Sequence, residues 1–286
     1  MGSAWRAARR SAGALLNALR ALRLHGDSAP LLPRVPELEP LYQWGLSLRQ
    51  GQVVMIAGRP GSQKSGFALF LVRQIGLPTL YFSADMTPME VVSRLAAMET
   101  NENSESVLRR IEAGGADAYT SALTGNNVQF AFGQPITWQD IQANLDLWVE
   151  MYNCYPPVIV IDNLMDVAGA ESDYHTQVEL MQDLTALSRE TGSTVIVLHH
   201  ASDKGASMVG MPPARSEIKN GLGEKPQVTL TVALAKELGT EMRVAVVKQR
   251  AGRDDPSAQR FVRLKAKPEV TRFEPGPSEW YRNLHD

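Results

Sequence analysis

The eight residues Gly58-Arg59-Pro60-Gly61-Ser62-Gln63-Lys64-Ser65 constrain this chain more than any other stretch. They join an apolar run, VVMIA at 53–57, to a helical pattern, SGFALFLVRQI, at 65–75. A strand that runs through a glycine-bearing turn straight into a helix presents unpaired backbone N–H groups, and these attract an anion. The spacing matches the phosphate-loop pattern G-x-x-x-x-G-K-[ST], except that Gln63 stands where glycine precedes the lysine. So relaxed, the pattern recurs by chance in roughly one chain in seven to ten of this length, and the strand–loop–helix context has to carry the assignment. Within that context Gly58 to Ser65 would cradle phosphates, Lys64 would reach the β- and γ-phosphates and Ser65 would hold Mg2+. The implied cofactors are ATP, or another nucleoside triphosphate, and Mg2+. A left-handed backbone costs a non-glycine residue roughly 1–2 kcal/mol. Gln63 is therefore expected at negative, near-helical φ, with its side chain turned away from the phosphates and Gly61 taking the strained turn. A positive φ at Gln63 would instead mark a decayed site.

At 286 residues with 44% hydrophobic content, the chain can bury one large core. Its net charge of -2 leaves nucleic-acid contacts to local basic patches. A single cysteine, Cys154, excludes an intrachain disulfide and a multi-cysteine zinc site, which makes a reducing intracellular setting the default. No apolar run approaches the roughly 18–20 residues of a membrane-spanning helix, so a soluble, cytoplasmic protein is expected. Residues 1–24 carry Arg6, Arg9, Arg10, Arg20 and Arg23 with no acid before Asp27, and Trp5, Ala8, Ala12, Leu15, Leu19 and Leu22 fall at helical spacing. Such a basic amphipathic helix suits an arm on a neighbouring subunit, an organellar transit peptide or a membrane-surface helix. The expected organisation is this arm over 1–29, a proline-rich extended linker over 30–40, a catalytic domain over 41–275 and a tail over 276–286.

From residue 51 onward, apolar runs alternate with helical segments. Strands are expected over 53–57, 79–83, 128–132, 158–162, 194–199, 228–235, 243–248 and 261–266, and helices over 64–75, 88–100, 105–113, 138–152 and 176–191. Near-continuous apolar strands separated by helices give an α/β fold with a mostly parallel sheet covered on both faces. The last strands follow one another without helices and read as antiparallel. In VIVIDN, Asp162 ends a buried strand, where an aspartate can anchor the hydration shell of Mg2+. In LYFSADM, Asp85 follows a strand, and a carboxylate there can polarise the water that attacks a γ-phosphate.

Ser83, Asp85, Met86, Thr87 and Arg94 fall in register with the S-L-E-M-S…R segment of DnaB-like replicative helicases, and the chain resembles that family of RecA-like P-loop ATPases over 38–275. The resemblance implies that Asp85 is the catalytic carboxylate. The family usually has glutamate there, and a shorter side chain would hold the water differently and slow hydrolysis. STVIVLHHAS is similar to the family's strand ending in a polar sensor of the γ-phosphate, a role that His199 or His200 would take, with His199 favoured for its place at the end of the expected strand. VAVVKQRAGRDD is similar to the K-x-R-x-G signature, in which Lys248 and Arg250 would reach the nucleotide of the next subunit. The loops over 163–175 and 201–226 correspond to those lining the DNA path, which suggests Lys204, Arg215 and Lys219 as phosphate contacts.

The resemblance thus implies a single-motor-domain, phage-type ATPase in a bacterial or phage-infected cell. It would assemble as a hexameric ring or a filament on single-stranded DNA and act as a helicase or translocase in replication or recombination. Two other readings stand beside it. One is a DNA-binding accessory protein with weak or no ATPase activity, favoured by the departures at Gln63, Asp85 and His199. The other is a metal-dependent nuclease built on Asp85, Asp162 and Asp166, with E-I-K at Glu217 to Lys219 as half of a nuclease signature.

Overall fold

The computed structural model describes residues 29–169, 174–202, 210–235 and 240–277. Leu31–Asp286 forms one compact unit and holds all the elements of the fold. Nine strands make one sheet in the order β3-β2-β4-β5-β1-β6-β7-β8-β9. They are β1 (Val53–Gly58), β2 (Thr79–Ser83), β3 (Val128–Phe132), β4 (Val158–Asp162), β5 (Thr194–His200), β6 (Val228–Ala235), β7 (Glu241–Gln249), β8 (Phe261–Lys267) and β9 (Arg272–Pro275). The first six pair in parallel, and β7 to β9 run antiparallel beyond β6. The α-helices are α1 (Glu39–Trp44), α2 (Lys64–Ile75), α3 (Pro88–Thr100), α4 (Ser104–Glu112), α5 (Thr120–Leu123), α6 (Trp138–Tyr152) and α7 (Tyr174–Thr191).

The period-2 alternation of the central strands sends side chains to two cores. Val54, Ile56, Val158, Val160, Ile196 and Leu198 meet α2 and α3 on one face. Val53, Met55, Ile159, Ile161, Val195 and Val197 meet α6 and α7 on the other. With both faces covered, β1, β2 and β4 are buried from end to end, which is why their sequences read as unbroken apolar runs. Local signals start the long helices. Thr87 Oγ1 accepts from Glu90 N while Glu90 accepts from Thr87 N at the head of α3, and Thr137 and Asp140 repeat this reciprocal cap at α6. Among the described residues no helix is long and apolar enough to cross a membrane.

Two parts of the chain differ from the sequence expectation. The proline-rich stretch is not a free linker: Leu32 N donates to Leu48 O, and Val35 and Leu38 are fully buried ahead of α1. Prolines fix φ and remove donors there, but the apolar residues between them belong to the core. The second is β9, short and half-polar, which lies beyond the last strand read from periodicity but inside the stretch Arg260 to Pro275 that resembles the family's terminal strands. Phe273 makes it a strand by packing edge-on against Phe67 and Phe70 of α2, with ring centroids 5.5 and 5.2 Å apart. The basic segment 1–24 and most of the tail lie outside the described residues.

If 31–38 is core, Leu38→Ala should destabilise the domain by about 2–4 kcal/mol, read as a lower urea midpoint at unchanged slope. A free linker would leave the midpoint where it is.

Candidate nucleotide site

The phosphate-type loop leaves β1 at Gly58, where only glycine fits: a Cβ would lie 2.5 Å from Ser62 Oγ and 2.8 Å from Val232 O. Gly61 takes a positive φ of 74°. The helix that follows, α2, starts with no side-chain cap and no acid in its first turn. Its N-terminus therefore keeps its positive end for an anion. Ser62 Oγ is buried beneath the loop without a partner, and Lys64 Nζ donates to Gly58 O at 3.1 Å and Arg59 O at 3.3 Å. The donor chemistry fits a nucleotide's phosphates.

Gln63 corrects the expectation drawn from sequence. Its φ is 62° and its ψ 33°, the left-handed region, so the loop keeps the conformation for which glycine is normally selected. The side chain folds over the first turn of α2, where Gln63 Oε1 lies 3.0 Å from the point a Cβ on residue 66 would occupy, and residue 66 is glycine. Arg94 Nη1 and Thr271 Cγ2 lie 3.7 Å from the same point. The glycine missing before Lys64 is answered by one two positions after it.

β5 separates β1 from β4, yet Ser65 Oγ reaches across to donate to Asp162 Oδ1 at 3.1 Å. Tyr81, fully buried on β2, donates to the other oxygen at 2.8 Å. Asp162 is 2% exposed. Burial pushes its carboxyl up to about 6, against the hydrogen bonds from Tyr81 and Ser65 that favour the charged form. A hydroxyl and a carboxylate held together at the strand ends are a donor set suited to Mg2+ beside the phosphates. Asp85 is exposed just after β2 and accepts from Asn163 Nδ2 at 3.3 Å. It therefore stands next to the strand that carries Asp162, and its charge contributes to the raised pKa of Asp162 and of Asp166. Among the described residues no three of His, Cys, Asp and Glu gather into a set that could hold a metal ion.

His199 does not occupy the end of its strand. β5 runs on to His200, and His199 is fully buried beside Ala57, with Nε2–H donating to Lys219 O at 3.2 Å and Nδ1 lacking a partner. Burial pushes it down to about 4, so it is neutral. It ties β5 to the segment beginning at Lys219; of the two histidines, His200 is the more exposed. Lys219 is itself exposed, Arg215 pairs with Glu224 at 3.5 Å, and Lys204 lies outside the described residues. Sequence reasoning assigned Arg59 only a place in the loop, but its guanidinium binds Ser202 O, Met211 O and Glu217 Oε1. The phosphate-type loop is thereby fastened to the long loop after β5.

Lys248 and Arg250 lie at the opposite end of the sheet. Gly58 is level with Val232, whereas Gln249 is level with Val228, four strand positions or about 13 Å away. Arg250 is exposed beyond that end and is out of reach of its own loop. Lys248 is not free: its Nζ donates to the carbonyls of Glu224 and Pro226, and burial first, then Arg250, pushes it down to about 8.

The family model described as an AAA domain matches residues 19–206. The chain belongs to the AAA domain family. Gene 65 protein of Mycobacterium phage L5 is 32% identical to it over 253 residues, covering 86% of this chain and 93% of that protein, and Gene 65 protein of Mycobacterium phage D29 is 29% identical over 225 residues. In solved structures the fold matches the ATPase domain of G40P, with a TM-score of 0.71 at 17% identity over 91% of this chain and 96% of that one. A DnaB-like replicative helicase also superposes with a TM-score of 0.71, at 18% identity, over 93% of this chain and 68% of that chain. The fold is that of the RecA-like, DnaB-type ATPase domains.

Within this AAA domain Tyr81 is the residue sequence reasoning missed. Its only signal is a tyrosine at the centre of a short strand between Leu80 and Phe82, an uncommon place to bury a hydroxyl without a purpose. The raised carboxyl of Asp162 gives a test with a definite sign. Ionised unfolded near 3.9 but folded only near 6, it burdens the fold above pH 6 by roughly 2–3 kcal/mol and not at all below pH 4. Asp162→Asn should therefore raise stability by about 1–3 kcal/mol at pH 8 and leave it unchanged at pH 4, measured by urea denaturation without Mg2+. Gln63→Gly should stabilise by about 0.5–1 kcal/mol, the relief of strain less the entropy of glycine. Gly66→Ala should weaken nucleotide binding, and adding Gln63→Gly should restore it.

Proposed function

We propose that the protein is an Mg2+-dependent ATPase of the DnaB-like type that assembles head-to-tail and moves along single-stranded DNA as a helicase or translocase. The observation that carries this reading is the contact of Ser65 with Asp162 beside an uncapped, glycine-bearing loop. Bound there, Mg2+ would neutralise charge on the transferring phosphoryl group. Lys64 would turn from the loop carbonyls to the β- and γ-phosphates, and Asp85, held by Asn163, would orient the attacking water. Arg250 has no use in its own subunit, which supports a site shared between copies, and a heterologous contact of this kind closes as a ring or continues as a filament. For the polymer, exposed Lys219 and the loop over 201–226 supply the basic contacts, with Arg59 linking that loop to the nucleotide. A probable replicative DNA helicase of Guillardia theta, 26% identical over 186 residues, supports the same class, although the match covers only 31% of that protein. The phage relatives favour action inside an infected bacterial cell.

One observation favours the accessory reading: Gln63 holds a left-handed backbone that costs roughly 1–2 kcal/mol. ATP turnover with and without single-stranded DNA separates the two. The motor reading expects DNA to stimulate turnover, and Lys64→Ala and Asp85→Ala each to lower it by about a hundred-fold or more. Equal, background rates for all three proteins would establish the accessory role instead.

A further inference from the structure

Next to Arg250 the surface opens into a hollow of about 340 Å³ between α7 and the 224–226 turn. Val178, Met181 and Thr185 form its floor, and Arg189, Lys225 and Arg250 stand around it. All three cations are exposed, and none has an acidic partner among the described residues; no acid lines the hollow. Exposed lysines and arginines are ordinarily just solvated. Three that converge on one concavity repel each other, and an anion seated among them relieves that repulsion. The position is informative too. Arg250 lies at the end of the sheet away from the chain's own phosphate-type loop, and the hollow extends from it along α7 to Val178.

Lys248 sharpens the assignment. The K-x-R signature leads one to expect Lys248 and Arg250 to act as a pair on the neighbour. Instead the Lys248 ammonium is spent on the carbonyls of Glu224 and Pro226, the residues on either side of Lys225. The turn is pinned from beneath, and the cation left exposed on it is Lys225.

We propose that Arg189 and Lys225 act with Arg250 as a three-cation clamp on the triphosphate held by the neighbouring copy. The proposal rests on the head-to-tail reading given above. The clamp supplies positive charge where negative charge develops during phosphoryl transfer, spread over three side chains from α7, the 224–226 turn and the end of β7. Its ligand is a nucleoside triphosphate presented by protein, and the same chemistry would also recognise the phosphates of a polynucleotide, so the test separates these sources.

Full-length Arg189→Ala/Lys225→Ala and Arg250→Ala are each assayed alone and after mixing with Lys64→Ala subunits, alongside single-stranded DNA affinity. The clamp predicts that the double variant loses about ten-fold to a hundred-fold in kcat, keeps its DNA affinity and regains turnover on mixing, because Lys64→Ala subunits contribute intact cations to its intact loops. Arg189→Lys/Lys225→Arg should retain most of the activity. If Arg250→Ala recovers on mixing while the double variant turns over at the wild-type rate, shared sites stand and the clamp falls. A loss in the double variant that Lys64→Ala subunits do not relieve overturns it as well, since the defect would lie within the subunit. Weakened DNA affinity at unchanged turnover assigns the hollow to a polynucleotide and also refutes the clamp. Failure of Arg250→Ala itself to recover defeats the head-to-tail reading beneath it.

Discussion

Ser65 Oγ meets Asp162 Oδ1 at 3.1 Å across 97 residues of sequence, and the meeting depends on β1, β5 and β4 running side by side in one direction, with Asp162 one position past the level at which Ile161, Val197 and Met55 pair. Parallel pairing supplies that alignment, because crossovers on both faces return every strand in the same direction. The carboxylate so placed is almost wholly buried, an expensive position that Tyr81 and Ser65 relieve only in part, as the pKa near 6 records. A group kept at such expense is one a cation would stabilise. Under the proposed function, stability is given up at the spot where Mg2+ would need a preorganised oxygen.

The strained residue of the loop has the same character. Gln63 adopts the backbone of a glycine and lays its side chain over Gly66, so a departure at one position is accommodated at another three residues on. The loop's other unusual member, Arg59, spends its guanidinium on three groups of the segment 202–217. Any shift of the loop on binding phosphate would thus reach that segment through polar contacts, and His199 makes a second tie from β5 to Lys219. Both ties are at least half-buried, where hydrogen bonds are stronger and less readily exchanged for water.

The fold was legible because its strands are buried on both faces. Unbroken runs such as VIVID and VVMIA set β4 and β1 to within a residue. Where a single long-range contact decides, periodicity was silent: β9 pairs with β8 and packs Phe273 against α2, and the core role of Val35 and Leu38 is hidden among prolines. At the site, position was readable where it depends on strand ends: Asp162 ends β4 and Asp85 follows β2. Conformation was not, since the steric preference that argues against a positive φ at Gln63 is overridden by the loop around it. His199 and Lys248 show the same limit: a one-residue extension of β5 and two nearby carbonyls decide what each side chain touches.

The central claim is that one nucleotide is held by the loop of one copy and the far sheet end of another. The direct measurement is the structure of the full chain bound to Mg2+, a non-hydrolysable ATP analogue and single-stranded DNA. The account predicts the γ-phosphate between Lys64 of one subunit and Arg250 of the next, with Mg2+ at Ser65 and near Asp162. Phosphates contacted by a single chain, with Arg250 left in solvent, would contradict it.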